Sequence, residues 1–261
     1  MVRQIWIEII TMVLVISGLT ACGGEIVTET DEGKSVKTGI SLTADVTGSK
    51  DASEEEAGLS KAEVLAVAVT VSEDGKIDDC RIDQIPAEIS FDDQGLVLTE
   101  MNTEFPTKDR MGESYGMKQA SGLGKEWNEQ AEAFADYVKG MTMEQVAAIA
   151  LDEYGRAVDP GLMSSVTISV SDFMEGLDHA VRNAKSLGAK QGDVITMGIK
   201  ATMEESEPAE GDDHGEASVH VEVTVETHDG TSVTSRDTED YTAGVKFNSR
   251  GEITERVLDE D

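Results

Sequence analysis

The chain has 261 residues, and 53 aspartates and glutamates against 21 lysines and arginines give a formal charge of −32. A surface that negative repels phosphate backbones, which excludes nucleic acid as a partner, and two cysteines exclude a disulfide-stapled scaffold. With 39% apolar residues the chain can fill one or two cores, and it lacks the several long uncharged stretches of a multi-span membrane protein.

Residues 1–21 begin with a short polar head, in which Glu8 offsets Arg3, and continue as an apolar run from Ile9 to Leu19. The run is too short to span a bilayer comfortably. It ends in Leu19-Thr20-Ala21-Cys22-Gly23-Gly24, which resembles the lipobox of bacterial lipoproteins. The resemblance implies a signal peptide over 1–21, cleavage before Cys22 and acyl chains on the Cys22 sulfur. It also implies residence at the cell membrane, lipid-anchored on the extracytoplasmic face, because two acyl chains hold a protein stably. An ordinary signal peptide, or an uncleaved anchor, with an incidental cysteine is the alternative. Residues 22–36 are polar and read as a flexible tether.

A β-block follows, over about 37–100. Val67-Ala-Val-Thr-Val71 alternates with period two, Ser72-Glu-Asp-Gly75 is a turn, Lys76 to Asp83 returns, and Phe91-Asp-Asp-Gln-Gly95 turns again into Leu96-Val-Leu98. With Cys22 acylated, Cys80 has no disulfide partner. It lies out of phase with Ile77 and reads as a lone, half-buried thiol.

Residues 106–125 are Gly-rich and net basic, with Lys108, Arg110, Lys118 and Lys125 around Tyr115. In so acidic a chain this segment is a candidate anion-binding or ligand-lining loop. The period then becomes helical. Trp127, Ala131, Phe134 and Val138 form one stripe that stops at Gly140, and Thr142 with Gln145 makes a capping box for a short helix. A third helix carries Phe173, Leu177, Val181, Ala184 and Leu187 to Gly188, with Ser169 and Asp172 as its capping pair.

The stretch Gly161-Leu-Met-Ser-Ser-Val-Thr-Ile-Ser-Val-Ser-Asp172 runs straight into that helix. A helix start offers unpaired amides and a positive dipole end to a phosphate, and the hydroxyls of Ser164, Ser165, Thr167 and Ser169 add donors. The stretch resembles the C-terminal signature of the FMN-binding domain family of bacterial electron-transfer lipoproteins and ion-pumping redox complexes. That signature is an Asp, two variable residues, Ser/Thr, Gly, Ala, Thr, then a helix. Here Ser164 matches the Ser and Thr167 the acceptor Thr, while Gly161, Ser165 and Val166 replace the Asp, Gly and Ala. The resemblance covers about residues 37–187. It implies FMN joined to Thr167 through a phosphoester, electron transfer outside the membrane and a redox partner. Without it, Val166, Ile168 and Val170 read as one face of a strand followed by a Ser cap.

The β pattern returns over 191–256. His220-Val-Glu-Val-Thr-Val225 leads to His228-Asp-Gly230, and Phe247-Asn-Ser-Arg-Gly251 echoes Phe91 to Gly95. Offsets of 154 for Ile40 to Val194 and Val71 to Val225, and of 156 for Phe91 to Phe247, suggest an internal duplication. His220, Glu222, Glu226 and His228 share a strand face but sit about 7 Å apart per pair of residues, too far for one metal cage. No HExxH, P-loop or Gly-x-Ser-x-Gly elbow is present.

The sequence therefore predicts an α+β fold of two antiparallel β-blocks with a helical segment packed against them. Residues 37–190 form an FMN-binding-like domain with a helical insertion, and 191–261 a second β-block packed on it. The expected function is a lipid-anchored, ligand-binding protein, without metal and more a carrier than a catalyst. A cofactor-free cell-surface interaction module is the rival.

Overall fold

The computed structural model describes residues 33–259. The leader, Cys22 and most of the expected tether lie outside them. From Gly33 onward the chain forms one compact unit. Seven strands and five helices follow in order: β1 (Val36–Asp45), β2 (Gly58–Ser72), β3 (Ile77–Phe91), α1 (Lys108–Met111), α2 (Trp127–Val138), α3 (Met143–Ala147), α4 (Pro160–Met163), α5 (Ser171–Arg182), β4 (Val194–Thr202), β5 (Gly215–His228), β6 (Val233–Phe247) and β7 (Ile253–Leu258). The fold is α+β, with one antiparallel sheet ordered β1-β2-β3 and another ordered β4-β5-β6-β7.

Two cores arrange these elements in three layers. Val64, Ala66, Ala68, Ile85, Ala87 and Ile89 from the first sheet meet Val219, Val221, Val223 and Val225 from the second. On the other face of the first sheet, Leu65, Val67, Val69 and Cys80 meet Trp127, Phe134, Phe173 and Leu177 of the helices. The first sheet is thus buried on both sides, whereas the outer face of the second carries the polar row His220, Glu222, Thr224 and Glu226. Helix α5 lies very close to the first sheet. A Cβ on Gly39 would fall 2.0 Å from the Ala180 carbonyl oxygen, and one on Gly176 2.9 Å from Val67, so only glycine fits this approach.

The two β-blocks correspond residue by residue. In the first, Gly58 pairs with Phe91 and a bulge falls at Thr70/Val71; in the second, Gly215 pairs with Phe247 and the bulge falls at Thr227/His228. Ile40 therefore matches Met197, Val71 matches His228 and Phe91 matches Phe247. The offset through the first two strands is 157, not the expected 154; only 156 for Phe91 stands. The error has a physical origin. Because both faces of β2 are apolar, Val71, which faces the helices, looks like Val225, which faces the other sheet; period two fixes no phase there.

The bulge also corrects the phase of Cys80. Val69 pairs with Cys80 but Val71 with Ile77, so the extra residue turns Ile77 and Cys80 to the same, helix-facing side. Residues at the expected end of the tether are already bonded to the body: the Val36 amide donates to the Ala189 carbonyl and the Gln191 amide to that of Lys34. The helix expected to run to Leu187 ends at Arg182, and Lys185 instead bridges to Thr38 of β1.

Candidate functional site

The segment 107–130 and the segment 161–173 meet on the helical side of the first sheet. Lys108, expected as an exposed anion ligand, is buried, at 5% exposure. Thr107 caps the one-turn helix α1 through the Arg110 amide, and this turns the Lys108 ammonium inward. There it lies 3.0 Å from Glu63 and 2.7 Å from the Gln84 side-chain oxygen. The Tyr115 and Trp127 rings lie 5.0 and 5.2 Å away, placing two π faces on the cation. An ammonium so enclosed is an internal counterion with no face left for a ligand.

The Gly-rich loop does bind an anion, and the anion is its own. The Glu126 carboxylate, 3% exposed, accepts hydrogen bonds from the amides of Met117 at 2.8 Å and Lys118 at 3.1 Å. It also takes the amide of Glu129, whose side chain accepts the Glu126 amide at 2.8 Å in a capping box for α2. The amides that made the loop attractive for a ligand are satisfied internally. Arg110 and Lys118 are exposed, and Lys118 pairs with Glu113 at 3.4 Å. Lys125 and Tyr115 are half-buried.

Gln130, fully buried on α2, joins this loop to the hydroxyl-rich stretch. Its side-chain oxygen accepts from the Thr167 amide at 2.8 Å and from the Thr167 hydroxyl at 3.1 Å. Its amide nitrogen donates toward the Ser121 hydroxyl and the Lys125 carbonyl, both at 3.3 Å. Thr167 is otherwise exposed. One buried amide thus fixes the two segments that the sequence singled out separately.

The remaining hydroxyls diverge. Ser164 donates to the Gly161 carbonyl at the end of α4, and Ser169 pairs with Ser171 at 2.9 Å. Ser165 is half-buried, with its amide bonded to the Leu162 carbonyl. Residues 164–170 form no strand; Ser169 makes only an isolated bridge to Arg156. Helix α5 begins after Val170 without a side-chain cap, so Ser169 and Asp172 are not the capping pair expected of them. The Thr142–Gln145 capping box forms as expected.

Glu63, Gln84, Asp83, Glu126 and Gln130 escaped the sequence reading. The Glu126–Glu129 pair carried a signal, because a carboxylate just before an apolar helical stripe with Glu three residues on is a capping-box pattern. Gln130, an uncharged residue in an apolar stripe, carried none. Cys80 is fully buried, and burial pushes its thiol up to about 12.

Among the described residues no three His, Cys, Asp or Glu side chains are grouped to hold a metal ion, and no helix is long and apolar enough to cross a membrane. His220 and His228 instead meet Thr242 and Thr196, at 3.2 and 3.0 Å. Compared with known protein families, curated proteins and solved structures, the chain matches none.

Proposed function

We propose that this protein is a lipid-anchored, extracytoplasmic ligand-binding protein that carries FMN on Thr167 and passes electrons outside the membrane. One observation carries the reading. The Thr167 hydroxyl sits at an exposed position, held by the buried Gln130, four residues before the first residue of a helix that has no side-chain cap. An accessible hydroxyl on a rigid support suits a phosphoester, and an uncapped helix start suits the phosphate. These residues fit the attachment of FMN: Thr167 would hold it, and Lys125, tied to the same Gln130 through its carbonyl, belongs to the adjoining loop. Bound there, the flavin would supply one- and two-electron transfer; the chain's own part is to fix the attachment point.

The engaged hydroxyls of Ser164 and Ser169 and the internal anion Glu126 favour the second reading, a cofactor-free interaction module. The intact mass of the mature protein from its native host distinguishes the two. Diacylation of Cys22 together with an FMN adduct lost in Thr167→Ala supports the carrier. A mature protein with acyl chains and no adduct leaves the module, and normal lipid labelling of Cys22→Ser removes the anchor.

A further inference from the structure

A cleft of about 280 Å³ opens where β3, α1, α2 and β4 meet, lined by Arg81, Asp83, Asp109, Asn128, Glu132 and Met197. It lies apart from Thr167, and its floor is rigid. Asp83 is 92% buried (8% exposed) and accepts the amides of Gln84 and Asp109 at 2.8 and 3.1 Å. Asn128 donates to Asp109 at 3.2 Å, tying the first turn of α2 to α1. Arg81 is half-buried on β3 and its Nε reaches the Ile195 carbonyl of β4 at 3.4 Å.

The charges in the cleft are unspent. Among the described residues neither Arg81, Asp109 nor Glu132 has an ion-pair partner, whereas the buried cation Lys108 is paired with Glu63. Arg81 is thus a half-buried guanidinium with no carboxylate on it in a chain of charge −32, its Nε directed at a backbone carbonyl. Guanidinium is the side chain best shaped to take a carboxylate in two parallel hydrogen bonds. Across the same cleft two carboxylates face solvent with no cation. The volume lies just below the usual range of ligand cavities, about 300–1,000 Å³, which suits a small free metabolite and not a peptide.

We infer that this cleft binds a free basic α-amino acid, its α-carboxylate on Arg81 and its two cationic groups on Asp109 and Glu132. One negative and two positive groups on the ligand complement one guanidinium facing the cleft carboxylates. Met197 covers the aliphatic stem. The site is independent of any flavin on Thr167, so its success or failure says nothing about that attachment.

The test is a calorimetric titration of the full-length protein with L-lysine and with cadaverine, which has both amines and lacks the carboxylate. Saturable L-lysine binding is expected, weakened ten-fold or more in Arg81→Gln, while the weaker cadaverine binding stays unchanged in that variant. Glu132→Gln, a change at an exposed helix position, is expected to weaken both. Absence of saturable L-lysine binding at millimolar concentration to folded protein overturns the inference. So does L-lysine affinity that Arg81→Gln and Glu132→Gln leave intact, or cadaverine binding as tight as L-lysine. Circular dichroism of both variants separates loss of binding from loss of fold.

Discussion

The rings of Phe91 and Phe247 stack at 4.2 Å between centroids, 7° from parallel, and join the two sheets at equivalent positions. Each ring also lies over the glycine opposite it, since a Cβ on Gly58 would fall 2.3 Å from the Phe91 ring and one on Gly215 2.7 Å from that of Phe247. Phe91→Ala removes a fully buried aromatic and its stacking contact with Phe247, at an expected cost of about 3–5 kcal/mol. Phe247→Ala should cost about the same, and the double variant less than the sum, because the two share one contact. Urea unfolding followed by fluorescence checks both values, and strict additivity would show that the rings are energetically separate.

Gln130→Leu keeps the buried volume and removes every hydrogen bond linking Thr167 to the 117–125 loop. The Thr167 amide loses its acceptor, so a loss of about 1–3 kcal/mol is expected. Hydrogen exchange should quicken at Thr167 and across the loop while the β2 amides keep their protection. Unchanged exchange at Thr167 would show that the link is unimportant.

Cys80 should be inert in the folded state. A thiol buried between β3 and the helices and pushed up to about 12 has almost no thiolate at neutral pH. Ellman's reagent is expected to modify it only in denaturant, at the rate of global unfolding. Rapid labelling of native protein would mean that the helical layer opens locally.

Asp83 gives the stability a definite pH dependence. Burial pushes its carboxyl above the usual 3.8, against hydrogen bonds from Thr107, Asp109 and Gln84 that pull it down. A group that holds its proton more tightly when folded stabilises the fold fully below 3.8, and that contribution is lost as the pH rises through the higher folded value. Asp83→Asn should therefore gain stability relative to wild type between that low pH and neutrality. Asp45, Asp74, Asp152, Asp229 and Glu252, held below their usual values chiefly by hydrogen bonds, act with the opposite sign as the pH falls. Denaturant midpoints across pH 3–7, an interval of about the carboxylate range, test this; a constant difference between Asp83→Asn and wild type refutes it.

The fold class was legible because its signals are local: the Trp127 stripe became α2, the Thr142–Gln145 box became α3, and the turns at Gly95 and Gly251 recur with left-handed φ of 80° and 68°. The phase of β2 was not, because a strand buried on both faces erases the alternation that reveals phase. The chemistry was harder to read. Lys108 looks like a surface cation until Glu63, forty-five residues earlier, is seen to lie 3.0 Å away. The Gly-rich loop looks empty until Glu126 is seen to fill it. Both are partnerships between distant or differently folded segments, and composition carries no trace of them.

The matching turns do more than repeat. The Ala52 amide of the first block donates to the Gly251 carbonyl of the second, and the Ala209 amide of the second donates to the Gly95 carbonyl of the first, both at 2.8 Å. Each half thus finishes a corner of its sibling in a reciprocal handshake. Neither half can be cut away without leaving the other with a raw edge, so the body should melt in a single calorimetric transition despite its two-block architecture.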